Sequence, residues 1–132
     1  MRAHVRIKLT GIFVDDQERA RDFYTDILGF QVKVDAAYGE GVRWISLVSP
    51  EDPDGPELVL ELPDDAARTY RQAVRDAGKP WTAFSTTDAQ ADYERLAAKG
   101  VEFTLAPKAM PYGGIDAVFD DGCGNLICLH QD

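Results

Sequence analysis

LTGIFVDDQERARDFYTDILGFQ, residues 9–31, reads as a strand, a capped helix and the start of a second strand. Ile12, Phe13 and Val14 run into Asp15-Asp16. An Asp with Glu18 three residues on is an N-terminal capping signal: the carboxylate accepts early helix amides and the glutamate reaches back. Ala20, Phe23, Tyr24, Ile27 and Leu28 fall at i, i+3, i+4, i+7 and i+8, one apolar stripe at helical period. Gly29 ends the helix, where a left-handed cap needs no Cβ. Residues 30–34 then alternate at strand period.

The same grammar returns downstream. Ser85-Thr86-Thr87-Asp88 leads into a helix with Ala89, Tyr93, Leu96 and Ala97 on one face. Gly100 stops it, and residues 101–105 alternate again. The later turns correspond too: Asp54-Gly55 before ELVLEL, and Cys123-Gly124 before NLICLH. A unit used twice fixes the architecture. The first unit places strands over 4–14, 30–36, 42–48 and 57–62, with a helix over 16–28. The second places strands over 80–86, 101–106, 115–119 and 125–131, with a helix over 88–99. Residues 107–114 read as a loop. A joining helix has apolar positions Ala66, Ala67, Tyr70, Ala73, Val74 and Ala77 and stops at Gly78. The expectation is a single α+β domain over 1–132: a βαβββ module over 1–62, a connecting helix over 63–78, and a second βαβββ module over 79–132.

A chain of 132 residues fits one compact domain. A net charge of −9 argues against nucleic-acid binding, which needs clustered Lys and Arg. No run approaches the ~18 apolar residues of a membrane span, and the opening MRAHVRIKLTGIFV lacks the apolar core of a secretory signal. Cys123 and Cys128 stand five apart, neither C-x-x-C nor a disulfide framework. The expectation is a cytoplasmic location with free thiols.

Alternation assigns sheet faces. The uniformly apolar sets, Leu58/Leu60/Leu62 and Ile127/Leu129, suit a face packed by helices. The mixed sets carry Glu61, Ser85, Cys128 and His130 and suit a face lining a cavity, where polar atoms keep water.

The strand ending VDD, the helix carrying DFYTDILGF, the later DYERLAAKGVEF and the closing FDDGCGNLICL together resemble the vicinal oxygen chelate superfamily. That group includes glyoxalase I, bleomycin-resistance and fosfomycin-resistance proteins and extradiol dioxygenases. The resemblance implies paired βαβββ modules forming a cup-shaped sheet around a cavity, commonly in homodimers. It also implies metal ligands on the first, fourth, fifth and last strands of metal-dependent members. Carried over by register, those positions are Leu9, Glu61, Trp81 and Cys128. Leu and Trp cannot ligate, and a catalytic divalent ion wants about three protein ligands. No cofactor is therefore expected, and a divalent metal is disfavoured.

Glu61 is the strongest catalytic or anchoring candidate: a carboxylate held in an apolar cup, or else a strand-end group reaching solvent. Cys128 and His130 share a face and offer, with Glu61, a relocated metal site; the plainer reading is a buried thiol and a rim histidine. Trp44 and Trp81 are walls for a planar ligand or core filling. Met110, Pro111 and Tyr112 make a lid or a simple connection. Asp120-Asp121-Gly122 is a turn, and His4 is a solvent-facing residue. The expected function is binding of a small, partly apolar molecule without metal, walled by Leu9, Phe13, Trp44 and Trp81 and anchored by Glu61, Ser85 and His130. The alternatives are a lyase, isomerase or dioxygenase-type enzyme using Glu61/Cys128/His130, and an interaction domain whose cup is filled by its own side chains. A homodimer is expected, with neither nucleic-acid nor membrane partners.

Overall fold

The computed structural model describes residues 4–132; the first three residues of module one lie outside the described residues. Two four-stranded sheets share one topology. The first has order β1-β4-β3-β2, built from β1 (Leu9–Phe13), β2 (Gln31–Ala37), β3 (Arg43–Val48) and β4 (Glu57–Glu61). The second has order β5-β8-β7-β6, built from β5 (Thr82–Ser85), β6 (Phe103–Ala109), β7 (Ile115–Asp120) and β8 (Leu126–Gln131). In each, the first and last strands pair parallel and the rest antiparallel. The repeat read from the sequence is thus the architecture. Among the described residues, no helix is long and apolar enough to cross a membrane.

The first helix departs from its expected form. Asp16 caps it by accepting from the Arg19 amide at 3.0 Å. Glu18 does not reach back; it pairs with Arg21 at 2.5 Å and Arg43 at 2.6 Å, where two guanidiniums outbid one amide. The α-helical part, α1 (Gln17–Asp22), continues as a π-helical stretch over Phe23–Ile27. Its wider turn, marked by Leu28 donating to the Phe23 carbonyl at 3.2 Å, lets neighbouring Phe23 and Tyr24 both face inward. Gly29 ends the element at φ 91°, as the capping pattern requires.

Ile12, Ile45, Leu47, Leu58 and Leu60 pack under Ala20 and Tyr24. Leu96, Ala117, Phe119, Ile127 and Leu129 form the matching core under α3 (Ala89–Ala98). The expected helix-packed faces hold, with one exception: Leu62 lies beyond the end of β4 and is 46% exposed.

Three further expectations need correction. Strand β1 begins at Leu9, not residue 4; Val5 and Ile7 are 90% and 82% exposed because no strand pairs alongside them. Strand β6 runs on to Ala109, so the expected 107–114 loop shrinks to a turn; Pro107 is accommodated because β6 is a sheet edge with slipped register. The connecting helix, α2 (Asp65–Asp76), does not dock through its alanine stripe. Its buried residue is Arg71, whose guanidinium donates to the Phe13 carbonyl at 3.1 Å and pairs with Asp15. Arg75 pairs with Asp120 at 2.5 Å. This helix is fastened by charge at the turns of both modules.

Candidate functional site

The β7–β8 hairpin carries the most organised polar group on the sheet faces turned away from the helices. Antiparallel pairing sets Asp116 opposite His130 and Val118 opposite Cys128. Asp116 is 6% exposed. One of its oxygens meets His130 Nδ1 at 2.6 Å, and the other accepts from the Tyr112 hydroxyl. His130 Nε2 lies 3.1 Å from Asp132. Gly114 permits this closeness: it sits at φ 77°, and a Cβ there would fall 2.4 Å from the Gln131 carbonyl and 2.8 Å from the His130 ring.

A cavity of about 620 Å³ opens beside this group. Pro80, Leu105, Met110, Val118 and Leu126 give it apolar walls; Asp116, Tyr112 and Cys128 form a polar group on it, and Arg75 also lines it. Burial pushes the Asp116 carboxyl up, but hydrogen bonds from Tyr112 and His130 outweigh it and hold the group below its usual range. Tyr112 is pushed up to about 12, first by its hydrogen bond to Asp116. Cys128 is pushed up to about 11, first by burial and then by the Asp116 charge, so its thiol stays protonated and unreactive at neutral pH. His130 is raised above its ordinary 6.5, first by the hydrogen bond to Asp116.

These shifts fix a pH window. A raised histidine contributes stability that is complete below its unfolded value and lost as pH rises through the folded one; a lowered carboxylate contributes above its unfolded value and loses it as pH falls. The pair therefore contributes most between the ordinary values of 3.8 and 6.5. His130→Gln should lower Tm at pH 5.5 and leave it nearly unchanged at pH 9. By NMR the His130 ring should titrate above 6.5; a midpoint at or below that value contradicts the pairing.

The other expected residues scatter. Leu9 opens β1 opposite Glu57 and is 40% exposed. Trp44 is half-buried and meets Tyr38 edge-on at 6.5 Å. Glu61 is exposed at the end of β4, its carboxylate folded beside Gly11, where a Cβ would lie 2.4 Å from Oε2. Ser85 is exposed opposite His130. Phe13 and Trp81 meet edge-on at 5.9 Å, and Trp81 Nε1 donates to the Gly11 carbonyl at 3.2 Å, so this tryptophan joins the two sheets rather than walling the cavity.

Cys128 and His130 do come together, but Glu61 does not join them in a donor set. Among the described residues, no three His, Cys, Asp or Glu side chains form a group that could hold a metal ion. The ligand positions carried over from the resemblance fit a metal no better. Ala83 opposite Cys128 matches Gly11 opposite Val59, while Ser85 opposite His130 matches Phe13 opposite Glu61. The counterpart of Cys128 in the first module is therefore an apolar valine.

Asp116 is the functional candidate that alternation within single strands does not reveal: a hairpin closing at the 120–124 turn pairs Asp116 with His130, a signal that appears only across the two strands.

Comparison with known proteins places this geometry in context. The family model described as Glyoxalase/Bleomycin resistance protein/Dioxygenase superfamily matches residues 4–129. The uncharacterized protein YurT of Bacillus subtilis (strain 168) is 49% identical over 128 residues, covering 96% of this chain and 99% of its own. Among solved structures, UcmS2 is 32% identical with a TM-score of 0.81, covering 100% of both chains. TnmS3, an antibiotic binding protein from Streptomyces sp. CB03234, is 30% identical with a TM-score of 0.77, covering 99% of this chain and 98% of its own. With the paired modules, the sheet order and a family match over nearly its whole length, this chain belongs to the glyoxalase/bleomycin resistance protein/dioxygenase superfamily.

Proposed function

We propose that this protein binds a small, partly apolar molecule against the second module's sheet, without a metal ion, and holds it rather than turning it over. The observation that carries this reading is the cavity of about 620 Å³ with apolar walls and a buried carboxylate among them. Small-molecule sites commonly have volumes of roughly 300–1,000 Å³, apolar linings and a few fixed polar groups. An open cavity favours a ligand over a cup filled by its own side chains. The likeness to an antibiotic binding protein supports the same class of ligand. Leu9 and Trp81 offer no donor to a metal.

The protein acts in the cytoplasm with Cys123 and Cys128 as free thiols, and as a homodimer. The exposed apolar residues Leu9, Val34 and Tyr38 give a second copy something to cover.

The test uses the neutral fluorophore N-phenyl-1-naphthylamine on chelator-treated protein. Binding should saturate near one probe per chain, stay the same with or without chelator, and weaken at least tenfold in Val118→Trp, which fills the cavity. Unsaturable binding, binding that requires an added divalent ion, or indifference to Val118→Trp would overturn the reading.

A further inference from the structure

We infer that the cavity of the second module selects ligands carrying a protonated amine, which docks on Asp116, over ligands carrying an anion. This rests on the binding reading above and specifies its chemistry.

The argument begins with Asp116 and its unused capacity. A carboxylate has about four acceptor sites. Two partners with full geometry are in place, His130 on Oδ1 and Tyr112 on Oδ2, with the Cys128 thiol as a weak third. The side chain lies on the cavity wall, 9% exposed, among apolar neighbours. A charge in such a place interacts more strongly than it would in water, because the surroundings screen it poorly.

The surrounding charges decide the sign. His130 lies between Asp116 at 2.6 Å and Asp132 at 3.1 Å, so one imidazole serves two carboxylates and the cluster keeps a net negative charge in either form of the ring. Arg75, also on the cavity wall, pairs through Nη2 with Asp120 at 2.5 Å, while its buried Nη1 has no partner among the described residues. Lys108 stands across from Asp116 in the β6–β7 register, but it is exposed and makes no ion pair with it. An anion entering here would meet that negative cluster, and among the described residues the cation on the cavity wall, Arg75, is already neutralised by Asp120. An ammonium would meet a carboxylate whose hydroxyl partner is easily exchanged: Tyr112 is 70% exposed and stands in a turn with two left-handed glycines, Gly113 and Gly114. Exchange of that hydroxyl for N⁺–H replaces a neutral donor by a charged one, the stronger kind.

A second hollow, of about 410 Å³, opens beside Phe23, Ile27 and Val101 on the helix side. Its carboxylates Asp120 and Asp121 are already bound to Arg75 and Tyr24, so it offers no comparable anchor.

Equilibrium dialysis with three aromatic probes tests the inference: 9-aminoacridine as cation, N-phenyl-1-naphthylamine as neutral reference and 1-anilinonaphthalene-8-sulfonate as anion. The measurement is made in 0.5 M NaCl, where screening over roughly 4 Å removes the long-range attraction of an acidic protein for any cation. The cation should bind at least tenfold tighter than the anion. Asp116→Asn should bring the two within threefold while leaving the neutral probe within twofold. Tyr112→Phe, which frees an acceptor without removing the charge, should tighten the cation about threefold and carries the test alone if Asp116→Asn does not fold. An anion bound as tightly as the cation, a preference that survives Asp116→Asn, or a cation weakened by Tyr112→Phe would overturn the inference while the neutral probe's binding leaves the pocket reading intact. Loss of all three probes would overturn the pocket reading and this inference with it.

Discussion

Asp121→Ala is expected to cost about 3–5 kcal/mol and to lower Tm by more than ~10 °C. Asp121 is 1% exposed, in the turn read from the sequence at Asp120-Asp121-Gly122. Its Oδ1 accepts the Cys123 amide at 2.7 Å and the Asn125 amide at 3.0 Å. Its Oδ2 accepts the Tyr24 hydroxyl at 2.6 Å and Asn125 Nδ2 at 3.0 Å. Asn125 Nδ2 also donates to the Phe13 carbonyl at 2.8 Å. One buried carboxylate thus binds the helix of module one to the hairpin turn of module two. Deleting it strands several buried donors at once, each costly without a partner. Tyr24→Phe removes one of those bonds and should cost less, about 1.5–3 kcal/mol. Thermal unfolding of both variants checks this; an Asp121→Ala protein melting within ~3 °C of the parent contradicts the lock.

Trp81→Ala should be the second large loss, about 2–4 kcal/mol, the lower part of the range reflecting partial exposure. Trp81 stands between Phe13 at 5.9 Å and Tyr70 at 5.6 Å and packs against the first module's core. It gives β1 of the first sheet and the segment leading into β5 of the second a shared apolar contact. Urea unfolding of the ligand-free variant measures the effect. Unchanged stability with abolished probe binding would make Trp81 a cavity wall after all.

The sequence carried most of the fold because both modules use strong local signals. Asp16 and Asp88 cap helices, Gly29 and Gly100 stop them, and period-2 alternation marks the strands between. Those signals act within a few residues, so they survive without knowledge of the tertiary structure. Errors arose where a distant partner decides. Arg71 is buried because the Phe13 carbonyl and Asp15 await it, and no helical periodicity announces that. Val5 and Ile7 alternate as a strand does, yet a strand needs a neighbour to pair with. Tyr24 and Asp121 lie far apart in the chain, so neither hints at the other.

The site was legible in part for the same reason. Cys128 and His130 emerged from alternation on the last strand; Cys128 lines the second module's cavity and His130 pairs with Asp116 beside it. Glu61 and Trp81 came from a register carried over from the family resemblance; the structure leaves Glu61 exposed at the end of β4 and sets Trp81 between Phe13 and Tyr70. Asp116 needed the cross-strand pairing of a hairpin, a nonlocal inference but a short one.

The most direct test of the central claim is amide and methyl NMR on chelator-treated protein titrated with N-phenyl-1-naphthylamine. Metal-free binding against the second module predicts saturable shifts concentrated at Leu105, Val118, Leu126 and Cys128, unchanged when zinc or nickel is added. Shifts that appear only after a metal is added, or that centre on Leu9, Glu61 and Trp44 instead, would contradict it.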